Sequence, residues 1–156
     1  MLPVFISKPH HKQEHSTSCL PACAKMLLNF IGDTIEEAIL RDLLGTTDRG
    51  TTVTNILMLN ASLPSVKAEL HQWLLVDLQE YLETKLQPCI VTVGTRALPH
   101  WNKADSLHAV IVHGFDDVRI LINDPYFDDQ EFPVPIEAFL AAWSETENFV
   151  ITIERR

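Results

Sequence analysis

Apolar residues recur at helical spacing first and at strand spacing later. Over 20–31, Ala22, Cys23, Met26, Leu27 and Phe30 fall on one stripe, with Pro21 in the first turn and Gly32 as the stop. Pro21 is harmless there because the first turn of a helix has no carbonyl to receive its missing N–H. Thr34 and Glu37 have the spacing of a capping box, opening a second helix that ends at Gly45. A weaker helical stretch runs over 53–61, entered through Gly50-Thr51-Thr52. Asp77 and Glu80 introduce a further helix over 78–86, closed by Pro88. Then the period changes to β-branched runs at 90–93, 108–112 and 118–122, each bounded by turn residues. A helix over 135–143 and a last strand over 149–153 complete the chain. Helices first and antiparallel strands after describe an α+β arrangement, and that order disfavours a parallel Rossmann-like sheet.

Composition narrows the classes. A chain of 156 residues with 46% hydrophobic and 21% charged residues reads as one soluble globular domain over 1–156. A net charge of −9 lacks the basic footprint that nucleic acid or an anionic membrane requires. The start, Met1 to Lys8, has neither a basic head nor a sustained apolar stretch, so it does not read as a secretory signal. No run approaches the roughly 20 apolar residues of a membrane span. Three cysteines, Cys19, Cys23 and Cys89, cannot all pair internally, which favours a cytoplasmic setting. Cys19 and Cys23 have no second ligand pair, so zinc is not expected.

Chemistry concentrates around Cys19. A thiol at a helix N-terminus faces unpaired amide hydrogens and the positive end of the helix dipole, both of which favour the nucleophilic thiolate. The same residue could equally be a small buried hydrophobe. Cys23, four residues on, and Cys89, at a strand start, read as core. Among seven histidines, His10, His11 and His15 lie in a polar stretch and read as surface, while His100 and His113 have no acid placed by a turn argument. His108 does. If a three-residue loop at Phe115-Asp116-Asp117 reverses the chain, 114 pairs with 118 and 108 lies opposite 124. Asp124 then orients the His108 ring, as the third member of a nucleophilic triad does. Gln13, six residues before Cys19, could donate its side-chain amide to an oxyanion, although a solvated loop glutamine is the plainer reading.

Taken together, Gln13, Cys19, His108-Ala109-Val110-Ile111-Val112 and Asp124-Pro125 resemble the papain-like bacteriocin-processing peptidases, which cleave leader peptides after a double glycine. Gly50-Thr51-Thr52, the stretch 78–93 and Phe139-Leu140-Ala141-Ala142-Trp143 resemble the middle and end of that family. The resemblance implies a papain-like α+β fold, with N-terminal helices packed on a C-terminal antiparallel sheet. It also implies a cysteine peptidase working through a thioester: Cys19 as nucleophile, His108 as general acid/base, Asp124 as orienter and Gln13 as oxyanion donor. The expected partners are a peptide or protein substrate and an exporter or small peptide encoded nearby, with no nucleic acid, no membrane insertion, no metal and no cofactor. One departure stands beside the nucleophile: the family has Asp-Cys-Gly where this chain has Ser18-Cys19-Leu20. Two other readings use the same residues, a peptide-binding module with weak catalysis and an acyltransferase or deamidase.

Overall fold

The computed structural model describes residues 2–7 and 10–156. Its frame is a seven-stranded sheet in which every pairing is antiparallel, in the order β2-β7-β3-β4-β5-β6. The strands are β1 (Val4–Phe5), β2 (Val66–Gln72), β3 (Cys89–Gly94), β4 (Leu107–Phe115), β5 (Arg119–Asn123), β6 (Glu131–Pro135) and β7 (Phe149–Arg155). The short β1 pairs with the far end of β4, where its Val4 carbonyl oxygen would lie 2.4 Å from a Cβ at position 114. Glycine at 114 is therefore a condition for that pairing.

Helices α1 (Cys19–Phe30) and α2 (Glu37–Leu43) cover one face, together with a 3-10 segment at Val53–Met58 and its short helical continuation α3 (Leu59–Ser62). Their apolar side chains, Met26, Leu27, Leu40 and Ile56 among them, pack on Ile90, Ala109, Ile111 and Ile151. On the other face, α4 (Leu75–Lys85) and α5 (Ile136–Ser144) bury Leu78, Leu82, Phe139 and Trp143 against Val91, Val110, Val112 and Ile122. The α+β reading holds, with helices on both faces rather than N-terminal helices alone. Alternation explains this: a central strand such as β4 is apolar at both parities and must be covered twice.

Several local expectations need correction. The capping box at Thr34 and Glu37 does not form; Glu36 stands at the N-cap of α2 with no side-chain cap, and Glu37 points elsewhere. Helix α4 begins at Leu75, three residues before the expected start, because the Asp77 carboxylate accepts the Leu74 N–H at 2.9 Å. The stretch after Val53 is mainly 3-10. Strands β1, β2 and β6 were not expected. β2 alternates Val66, Ala68 and Leu70 with Lys67, Glu69 and His71, a signal diluted by poor strand formers at an edge. β6 carries Pro133 and Pro135, which only an edge strand accommodates.

The β4–β5 register also differs. Asp116 accepts the Val118 and Arg119 amides at 2.9 and 2.8 Å, tightening the turn so that Phe115 pairs with Ile120, and an irregularity follows between Val112 and Gly114. Nearer the site Ile111 opposes Asn123. Continuing that register puts Val110, not His108, opposite Asp124. A shift of two residues preserves the face, because side chains alternate with period two, so His108 and Asp124 become diagonal neighbours.

Candidate active site

Cys19 opens α1, where the first amides have no carbonyl four residues back to bind. The turn before it is held by Ser18, fully buried, whose hydroxyl accepts the His15 amide and donates to the His15 carbonyl. Burial pushes the Cys19 thiol up. The hydrogen bond and charge of His108, with the backbone amides of Ala109 and Leu20, outweigh it and bring the thiol below its ordinary value. Cys23 and Cys89 are fully buried, and burial drives both thiols well up, so they stay protonated and inert. All three cysteines are free.

His108 Nε2 lies 2.7 Å from Asp124 Oδ1, which leaves Nδ1 as the ring nitrogen for the thiol. Burial opposes charge on this ring. The hydrogen bonds and charges of Asp124 and Cys19 nevertheless raise it to about 9. Asp124 is itself fully buried, and burial alone would raise its carboxyl. Hydrogen bonds from His100, His108 and Trp101, with the His108 charge, hold it well below the ordinary carboxylate range instead.

Asp124 is the hub of the site. Its Oδ1 accepts His108 Nε2 and the Tyr126 amide (3.0 Å), and its Oδ2 accepts His100 Nε2 (2.9 Å) and Trp101 Nε1 (2.8 Å). The Trp101 ring meets His108 edge-on at 5.0 Å between centroids, screening the His108–Asp124 pair from water. His100 stacks on Phe132 at 4.0 Å. His100 and Trp101 are site residues that sequence reasoning missed. They sit in the connection between β3 and β4, and no local pattern ties a loop histidine to an acid 24 residues away.

Gln13 lies in the same place. It lines a cleft of about 220 Å³ that Cys19, His108, Trp101 and Tyr126 also line. Its Nε2 donates to the His15 carbonyl at 2.8 Å, leaving the second amide hydrogen for another acceptor. A larger cleft of about 320 Å³ adjoins it, sharing Cys19, His108 and Gly50 and lined also by Leu20, Val53 and Phe149. Cys19 lines both clefts. All four expected residues are brought together.

Other sequence readings shift. His10 and His11 are half-buried rather than plain surface. His10 bonds Asn123 Oδ1 (2.7 Å) and the Phe127 carbonyl (2.9 Å), and His11 bonds Glu37. His113 has Glu131 at 3.7 Å. Leu20 is only 4% exposed and belongs to the α1 core. Among the described residues, His11, Glu14 and Glu37 bring donor atoms within 4.8 Å of one another. Arg41 pairs with both carboxylates, so a guanidinium supplies the positive charge there.

A cysteine at a helix start and a buried histidine–carboxylate pair beside it lie at adjoining clefts on an antiparallel α+β frame, the groups that thiol hydrolysis calls for. The chain belongs to the peptidase C39 family, whose model matches residues 7–156. Its fold is shared by a double-glycine-motif protease from an AMS/PCAT transporter, solved in complex with the leader peptide. That match has a TM-score of 0.74 and 19% identity, covering 100% of this chain and 99% of the other. A C39-like peptidase from Bacillus anthracis matches with a TM-score of 0.77 and 18% identity over 100% and 99% of the two chains. The peptidase domain of Streptococcus ComA, a bi-functional ABC transporter of a quorum-sensing pathway, gives 0.73 and 21% over 94% and 97%. No curated protein sequence matches significantly. No helix among the described residues is long and apolar enough to cross a membrane.

Proposed function

We propose that this chain is an active, papain-like cysteine peptidase, a single domain over 1–156, cleaving a peptide bond through Cys19, His108, Asp124 and Gln13. The observation that carries the reading is the continuous link from the Cys19 thiol through His108 to the buried Asp124, at the junction of two clefts. The Cys19 thiolate adds to the scissile carbonyl, and the oxygen takes up negative charge. Gln13 Nε2 and the Cys19 amide at the helix start donate to that oxygen. Collapse breaks the C–N bond as His108 passes its proton to the departing amine, leaving a thioester on Cys19. Water, deprotonated by His108, then attacks the thioester; the C–S bond breaks and the acid leaves. Asp124 keeps the ring oriented and stabilises its charged form throughout.

A peptide of the leader class fits the family and the relative solved with a leader peptide. An exporter or a small peptide encoded nearby is the natural partner of that reading, and a reducing cytoplasm suits a free catalytic thiol. The test is covalent capture. A peptide aldehyde should label wild type at Cys19 and not Cys19→Ala, and the products of a cleaved peptide should carry the mass of one added water. Product mass showing transfer to an amine, or loss of a side-chain amide alone, would replace hydrolysis with the corresponding acyl chemistry.

A further inference from the structure

Glu37 is a fully buried carboxylate on α2, away from the thiol, with three donors around it. Oε1 accepts the Glu14 backbone amide and His11 Nε2, both at 3.1 Å, and Oε2 pairs with Arg41. Burying a charge is costly unless it is paired and hydrogen-bonded. Here each donor is met, and two of the three come from the segment that carries Gln13.

The peptide planes on both sides of Gln13 are held. Its own amide donates to the Pro125 carbonyl at 2.7 Å, next to Asp124, and the following amide, that of Glu14, donates to Glu37. Two anchored planes restrict the Gln13 backbone angles, and so help to aim its Cβ. The side-chain amide is then pinned at one hydrogen by His15. One anchor comes from the strand end that bears the acid, the other from α2, which packs on the helix that bears the thiol.

We propose that Glu37 is a positioning residue that holds Gln13 at the oxyanion. This rests on the reading of Gln13 as oxyanion donor. Electrostatic stabilisation of a developing charge needs donors already in place, and a misplacement of about 1 Å can cost roughly a hundredfold in rate. Glu37 acts through the Gln13 backbone and touches no reacting atom.

The experiment compares two small probes of the same thiol. Iodoacetamide alkylates the thiolate by displacing iodide, with no oxyanion. p-Nitrophenyl acetate acylates it: sulfur adds to the carbonyl, charge builds on oxygen, and the C–O bond breaks to release p-nitrophenolate. Gln13→Ala and Glu37→Ala should each slow acylation by about tenfold to a hundredfold while alkylation stays within about twofold. Gln13→Ala/Glu37→Ala should be no slower than Gln13→Ala alone. Glu37→Gln, which keeps an oxygen for the Glu14 amide, should recover part of the rate. If Glu37→Ala does not fold, Glu37→Gln and His11→Ala are judged by the same ratio of rates. Slowing of both probes alike, or multiplicative effects in the double variant, would overturn the proposal, as would normal acylation by Glu37→Ala while Gln13→Ala is slow. Normal acylation by Gln13→Ala overturns the oxyanion reading of Gln13 itself, and this proposal with it.

Discussion

His108 and Asp124 lie 16 residues apart and meet at 2.7 Å, diagonally across two antiparallel strands, with the carboxylate saturated by three further donors. This pair favours the charged form of His108, and the His108 charge in turn lowers the Cys19 thiol.

The pH window follows from the two shifts. The thiol is held below its ordinary value and His108 is raised to about 9, and both directions favour a thiolate–imidazolium pair on the acid side of that value. Peptide cleavage should rise as the thiol ionises and fall as pH passes about 9, where the leaving amine loses its proton donor. Iodoacetamide rates across pH give the first limb and kcat/KM the second. His108→Ala should move the alkylation limb upward, because burial of Cys19 is then unopposed by the imidazolium, and should cost about 10²–10⁴ in kcat. An unmoved limb would remove His108 as the thiol's partner.

Asp124→Asn should be milder than His108→Ala in activity but should also lower stability. Whichever oxygen becomes an amide nitrogen, two of the four donors then face an NH2 group, and each one left without an acceptor costs about 1–3 kcal/mol, less where His108 or His100 changes tautomer to accept. The folded carboxyl is depressed, so its stabilisation is present above the ordinary carboxylate pKa and lost as pH falls. The His108 contribution has the opposite sense, complete below about 6.5 and lost as pH rises through about 9. Melting temperatures against pH should show Asp124→Asn lacking part of the acid limb.

Cys19→Ala should abolish turnover while the melting curve stays near that of wild type. Cys23→Ala and Cys89→Ala remove fully buried thiols and should keep activity with a loss of about 1 kcal/mol each. Cleavage by Cys19→Ala would end the thiol-enzyme reading.

Leu20 stands beside the nucleophile, where the family that the sequence resembles has glycine, and if its side chain blocked substrate Leu20→Gly would cleave a double-glycine peptide faster. Its burial against the α1 core makes stability the larger effect, about 2–5 kcal/mol for losing the side chain. At about 2–4 °C per kcal/mol, the fall in melting temperature is easily read. Because Leu20 also lines the larger cleft, kcat/KM on a double-glycine peptide should be measured alongside. A stable variant with much faster cleavage would show that the side chain faces substrate.

The periodicity of the chain determined α1, α4, α5 and the central strands, because an element buried on one face repeats that face in sequence. The thiol at the head of α1 and the meeting of His108 with Asp124 were legible for the same reason. Even a register wrong by two residues keeps both on one face, and only an odd error would part them. What the tertiary structure alone decided is where polar groups find their partners. Glu37 looked like a local cap and instead reaches the Gln13 segment. His100 had no acid in view and shares Asp124 with His108. His10 bonds a residue 113 positions away. A buried polar group must be satisfied, but the chain states only that need; the packing of distant elements decides which donor arrives.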